Sequence, residues 1–216
     1  MPERRRRPSS GPATKRPGAP SADVVVSRLI EQTAGVSQPQ PKEDPRGAPI
    51  QERVRILFLD LDGTLTDGVI TFDMVGDQRH FSIRDGLALV WARELGLLPV
   101  VISGRSSKAA ELRMQDLRLE HYFGVQDKVA VAQQVMRREG VSWIECAMVG
   151  DDLPDVPLLK RVGWPIAVTD AVSEVKAIAR TVTLARAGYG AVREVVERLL
   201  RHNGVWERVL ERYQIS

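Results

Sequence analysis

The sequence predicts a doubly wound α/β domain on a parallel sheet, and three observations predict it. From Val54 onward, short and nearly unbroken apolar runs alternate with amphipathic segments of helical period. Apolar strands that lack a polar face belong to a sheet covered on both sides. Several of these runs end in polar, glycine-containing stretches, and in open α/β sheets ligands bind outside the carboxyl ends of the strands.

The elements follow in order. Residues 1–50 hold nine of the thirteen prolines and carry nine Lys/Arg against five Asp/Glu. Such a segment buries too little apolar surface to offset its ordering entropy, so it is read as a disordered Pro/Arg-rich leader. One short helix is expected within it over 21–34, with Ser21 as N-cap and apolar residues at 25, 26, 29 and 30. The folded domain is expected over 51–216. VRILFLD (54–60) reads as a buried strand ending in an acid. Val69–Met74 and Arg79–Ile83 read as two short strands around the turn VGDQ, a β-hairpin inserted after the first strand. A helix is expected over 85–96, with Leu87, Val90, Trp91 and Leu95 on its inner face and Gly96 as the stop. LPVVIS (98–103) is a strand, 106–117 a helix, and 128–139 a helix with Val129, Ala132, Val135 and Met136 inward. CAMVG (146–150), PIAV (165–168) and TVTL (181–184) are short strands, and a C-terminal helix begins at Ala191.

Composition excludes several function classes. Residues 51–216 carry twenty-two basic and twenty-three acidic side chains, so the formal net charge of +3 resides in the leader. Trp91, Trp143, Trp164 and Trp206 are spread along the chain and offer no stacking platform, so no nucleic-acid partner is expected. No run of about 18 apolar residues is present, so no membrane partner is expected. A single cysteine, Cys146, excludes a disulfide framework and a cysteine-rich zinc site. With no apolar stretch following MPERRRRPSS, a cytoplasmic location is expected.

Three strand ends deliver polar residues to one edge: Asp60-Leu-Asp62-Gly63-Thr64, Ser103-Gly104-Arg105, and Gly150-Asp151-Asp152-Leu153-Pro154-Asp155. Carboxylates crowded in one crevice repel one another and call for a cation. Oxygen donors without a His/Cys set point to a hard divalent ion, Mg²⁺. A carboxylate beside such an ion can attack phosphorus. Lys128 by itself would be an ordinary surface lysine; what singles it out is its place at a helix start between the second and last of these stretches.

These residues give the chain its resemblance. DLDGTLTDG (60–68), ISGR (102–105), Lys128 and GDDLPD (150–155) stand in the order of the four motifs of the haloacid dehalogenase superfamily. FSIRDG (81–86) and GYGAVREV (188–195) resemble its branch of phosphatases acting on phosphorylated 2-keto-3-deoxy sugar acids in lipopolysaccharide synthesis. The resemblance covers about 54–197. It implies a three-layer sandwich, with Asp60 as the nucleophile that forms an aspartyl-phosphate and Asp62 as the acid and base. Mg²⁺ would be held by Asp60, Asp151 and the backbone carbonyl of Asp62. Ser103 and Lys128 would bind the phosphoryl oxygens, and Asp152 and Asp155 would orient the metal and its waters. The implied substrate pocket comprises Ser82, Ile83, Arg84, Asp85 and Gly86, with Arg105 and Arg113 on the sugar acid. The implied substrate is 3-deoxy-D-manno-octulosonate 8-phosphate. Two departures, Val90 in place of an arginine and Ala187-Gly188-Tyr189 in place of Gly-Gly, keep a 9-phosphorylated nonulosonate open as the alternative. A catalytically silent scaffold with a partner-binding leader is the alternative from another class; it would be expected to have lost at least one of Asp60, Asp62, Lys128 or Asp151. The intervals from Asp60 to Ser103 and from Lys128 to Asp151 leave no room for a separate cap domain. Water exclusion is therefore expected from the hairpin and a neighbouring subunit. The resemblance implies a homotetramer with the hairpins at its core.

Overall fold

Ile56–Leu59 (β1) is apolar at every position and wholly buried, which places it at the centre of the sheet. The computed structural model describes residues 52–72, 74 and 76–215. The expected leader over 1–50 and its helix over 21–34 lie outside the described residues.

β1 pairs in parallel with Leu98–Ile102 (β4) on one side and Cys146–Gly150 (β6) on the other, Ile56 standing opposite both Leu98 and Cys146. Glu120–Tyr122 (β5) extends the sheet beyond β4; Trp164–Ala167 (β7) and Thr181–Val182 (β8) extend it beyond β6. The strand order is thus β5-β4-β1-β6-β7-β8, all parallel. The chain leaves β1 toward one side and later returns to the other. Connections diverge at the carboxyl end of β1, and that is where a doubly wound sheet opens a crevice.

Between β1 and β4 the described residues form only the hairpin, Thr71–Phe72 (β2) with Asp77–Gln78 (β3), and helix α1 over Ile83–Glu94. The expected absence of a separate cap domain holds for the described residues. The hairpin is shifted from its predicted position: Asp77 and Gln78, read as turn, are the ladder residues opposite Phe72 and Thr71. Arg79–Ile83 is not a strand, because the Ser82 hydroxyl accepts from the Asp85 amide at 3.3 Å and starts α1 at Ile83. Helix α2 (Lys108–Leu117) begins two residues later than expected for the same reason, capped by Ser107.

Helix α3 (Lys128–Glu139) matches its expected bounds, with Asp127 accepting from Val129 and Ala130 at 2.9 and 3.1 Å. Short helices α4 (Val156–Leu159) and α5 (Ser173–Ile178) complete the crossovers. The last strand stops at Val182 because the Leu184 and Ala185 amides turn to the Glu194 carboxylate. The C-terminal segment is two helices, α6 (Ala191–His202) and α7 (Glu207–Arg212), separated at Gly204, whose φ of +68° no helix accommodates. β5 has no sequence signal: Glu-His-Tyr is half-buried at the edge of the sheet and carries no apolar run.

Two expectations about packing are corrected. The buried face of α1 is Ala88, Leu89, Trp91 and Ala92, while Leu87 is exposed; α1 packs on both β4 and α6, and its small residues permit that approach. The tryptophans are not all dispersed. Trp91 meets Trp206 edge-on at 5.9 Å and Tyr213 at 5.8 Å, with the Arg193 guanidinium 4.3 Å over the Trp91 ring. Both tryptophans are buried, so the cluster is core and not a stacking platform.

Candidate active site

Asp60 follows β1 directly, and its amide continues the ladder to the Val149 carbonyl at 3.1 Å. Parallel register brings Ser103, at the end of β4, and Asp151, at the end of β6, to the same edge. Lys128 is the first residue of α3 yet is buried: its Nζ donates to Asp60 Oδ1 at 2.5 Å and to Asp155 Oδ1 at 2.7 Å. One ammonium thus joins the first and last acidic stretches.

Asp60, Asp151 and Asp155 each offer a carboxylate oxygen within 4.8 Å of the others. The electrostatics of that trio test whether a cation fits. Burial, then Asp155, pushes Asp60 up to about 6 despite Lys128. Burial, then Asp60 and Asp155, pushes Asp151 up to about 8. Burial alone would lower Lys128, but Asp60 and Asp155 outweigh it and raise it. Burial and mutual repulsion that one ammonium does not offset raise Asp60 and Asp151; a cation would relieve both, and the all-oxygen donor set fits Mg²⁺. Gly63 completes the cradle. With φ at +91°, a Cβ there would overlap the Asp151 carboxylate, whose Oδ1 also accepts from Thr64 Oγ1 at 3.1 Å.

The remaining predicted residues separate into groups. Asp155 is buried, and its second oxygen accepts from the Asp151 amide at 3.0 Å, so it shapes the loop as well as holding Lys128. Asp152 is exposed and caps Leu153 at 2.7 Å. Ser103 is buried and its Oγ accepts from the Arg105 amide at 3.2 Å, while Arg105 itself is exposed. Arg113 and Gly86 are brought together, since a Cβ on Gly86 would overlap the Arg113 guanidinium. Arg113 also pairs with Asp116 at 2.8 Å. Ile83 and Arg84 are exposed, and Ser82 caps α1. Asp85 faces the start of α6: its two oxygens accept from the amides of Gly190 and Arg193 at 3.2 and 2.7 Å, and burial raises its pKa above the usual carboxylate range despite those bonds.

The side chain of Asp62 is engaged by a residue that sequence reasoning missed. Arg79, just after β3, donates Nε to Asp62 Oδ1 at 2.6 Å and Nη2 to Oδ2 at 3.2 Å. No motif marks Arg79; only the position of the hairpin brings it to Asp62.

A family model described as haloacid dehalogenase-like hydrolase matches residues 124–195, a span that contains Lys128 and Asp151–Asp155. The 3-deoxy-D-manno-octulosonate 8-phosphate phosphatase of Escherichia coli K12 is 36% identical over 155 residues, covering 71% of this chain and 82% of that protein. The chain belongs to the haloacid dehalogenase-like hydrolases. Within that family, the phosphatase of the same name from Haemophilus influenzae is 32% identical over 155 residues, covering 71% of this chain and 86% of its own. Among solved structures, the Moraxella catarrhalis 3-deoxy-D-manno-octulosonate 8-phosphate phosphatase, in complex with magnesium, phosphate and KDO, superposes with a TM-score of 0.71 at 29% identity, covering 74% of this chain and 93% of that one. The cobalt-bound Haemophilus influenzae enzyme superposes with a TM-score of 0.70 at 31% identity, covering 73% and 94%.

Proposed function

We propose that this protein is a Mg²⁺-dependent phosphomonoester hydrolase that removes phosphate from 3-deoxy-D-manno-octulosonate 8-phosphate through an aspartyl-phosphate on Asp60. The observation that carries the reading is the buried Asp60 carboxylate held by Lys128 at 2.5 Å beside Asp151 and Asp155. A carboxylate so gripped keeps one orientation toward an incoming phosphate.

Asp60 attacks phosphorus while Asp62 delivers a proton to the departing alcohol oxygen. Asp62 then takes a proton from the water that hydrolyses the acyl-phosphate. The Ser103 hydroxyl and the Lys128 ammonium stabilise the charge on the transferring phosphoryl oxygens, which is the protein's main task in such reactions. Asp60, Asp151 and the Asp62 carbonyl would hold Mg²⁺, which supplies charge neutralisation at the phosphoryl group. Arg105 and Arg113 would take the sugar-acid carboxylate, for which a planar guanidinium is suited, at a rim formed by Ser82–Gly86. The relatives named for this substrate support the sugar.

The oligomer and the compartment belong to the same reading. Val69, Phe72 and Met74 put an exposed apolar surface on the hairpin, and hairpins packed together in a homotetramer would bury it and cover the crevice. No helix among the described residues is long and apolar enough to cross a membrane. The lone, buried Cys146 suits a reducing cytoplasm.

The test is phosphate release from 3-deoxy-D-manno-octulosonate 8-phosphate, a 9-phosphorylated nonulosonate and an aryl phosphate, each with Mg²⁺ and with chelator. Preference for the octulosonate, lost with chelator and in Asp60→Asn, is expected. Retained turnover in Asp60→Asn refutes the mechanism, and preference for the nonulosonate refutes the substrate.

A further inference from the structure

We propose that Arg79 is the positioning residue for Asp62, and that through it the hairpin sets the orientation of the acid/base carboxylate; this rests on the role given to Asp62 above. The two aspartates of the first acidic stretch have separate cations from separate elements. Asp60 is held by Lys128 of α3, and Asp62 by Arg79 of the hairpin.

The grip on Asp62 is a two-pronged one, with Nε on Oδ1 and Nη2 on Oδ2. A carboxylate bonded at one oxygen still turns about its terminal torsion, whereas a guanidinium on both oxygens fixes its plane. Such a fork occupies two of about four lone-pair positions, leaving one on each oxygen to carry the proton given to a leaving-group oxygen or to accept one from a water. The arginine is itself fixed. Its side chain is 2% exposed, against 16% for Asp62, and its third nitrogen, Nη1, is ion-paired with Asp77. Asp77 lies in the ladder opposite Phe72. A two-residue ladder has little stability of its own, and the Asp77–Arg79–Asp62 chain is one of the links that tie the hairpin to the site. Displacing the hairpin would therefore turn the Asp62 carboxylate without touching Asp60.

Leaving-group dependence tests this without involving the sugar. Phenyl and p-nitrophenyl phosphate share size and contacts but differ in the basicity of the departing oxygen, and only the poorer leaving group needs a well-placed acid. In the full-length protein with Mg²⁺, kcat/KM would be measured for both esters in wild type, Arg79→Ala, Arg79→Lys, Asp62→Asn and the Asp62→Asn/Arg79→Ala pair. Arg79→Ala is expected to widen the p-nitrophenyl to phenyl ratio roughly tenfold, in the direction of Asp62→Asn, with Arg79→Lys between it and wild type. The double variant is expected to be no worse than Asp62→Asn, because both act through one group. An unchanged ratio overturns the proposal, whether both rates fall together, as for a structural residue, or only the sugar-phosphate KM rises, as for a substrate contact. Faster turnover in Arg79→Ala also overturns it, since the pair would then be a brake. If Asp62→Asn leaves the ratio unchanged, it is the acid role of Asp62 that fails. Should Arg79→Ala not fold, Arg79→Lys and Arg79→Gln carry the same comparison.

Discussion

Replacing Lys128 by methionine removes the one ammonium shared by Asp60 and Asp155 while keeping most of its packing. Its Nζ donates at 2.5 and 2.7 Å to carboxylates whose side chains are 12% and 2% exposed. Breaking a buried pair by deleting one partner costs about 3–5 kcal/mol, because a buried charge is left uncompensated. Protonation limits that cost, since a carboxylate that cannot stay charged takes up a proton. The loss in unfolding free energy should therefore approach about 3–5 kcal/mol at pH 8 and be distinctly smaller at pH 5, where a carboxylate needs little work to become neutral. Turnover should fall by about 10²–10³, the cost of removing one preorganised group from a developing oxyanion. Urea denaturation in chelator at both pH values, followed by phosphate release with Mg²⁺, measures each quantity. A loss below about 1 kcal/mol at pH 8, or an equal loss at both pH values, would refute the view that Lys128 compensates buried charge.

Metal and proton should compete at the same oxygens. Burial and mutual repulsion raise Asp60 and Asp151 above the ordinary 3.8, the latter to about 8. At these two groups the folded protein without metal therefore binds more protons than the unfolded chain. That contribution to stability is full below the unfolded value and is lost as pH rises toward 8. Mg²⁺ needs the deprotonated groups, so the rise in melting temperature on adding Mg²⁺ should be greater at pH 8 than at pH 5, as scanning calorimetry would show. Gly63→Ala should weaken Mg²⁺ binding about 10–100-fold by calorimetric titration, because the new methyl overlaps Asp151 at a φ of +91°. Asp85→Ala should cost about 1–2 kcal/mol in denaturant unfolding, since the Gly190 and Arg193 amides at the start of α6 lose their acceptor.

Much of the molecule was legible from local chemistry. The bounds of β6 and α3 matched the expected ones residue for residue, because an unbroken apolar run and an Asp-capped amphipathic repeat are complete signals in themselves. The shared edge for Asp60, Ser103 and Asp151 followed from each standing at the end of an apolar run. Where signals were weak, neighbours decided. β5 is a strand because β4 offers it an edge, and β8 ends early because Glu194, ten residues on, takes the Leu184 amide.

The sequence by itself determined the fold class, the acidic crevice and the kind of ion it suits, because periodicity and residue chemistry are carried by short stretches of chain. Only the tertiary structure decided how those groups are partnered. It assigned Lys128 to both Asp60 and Asp155, turned Asp85 toward α6, and placed Arg79 on Asp62. Asp60 and Lys128, or Asp85 and Arg193, lie far apart along the chain, and nothing in the composition of either stretch names the other. Such pairings exist only once the sheet and its connections have fixed where each side chain can reach.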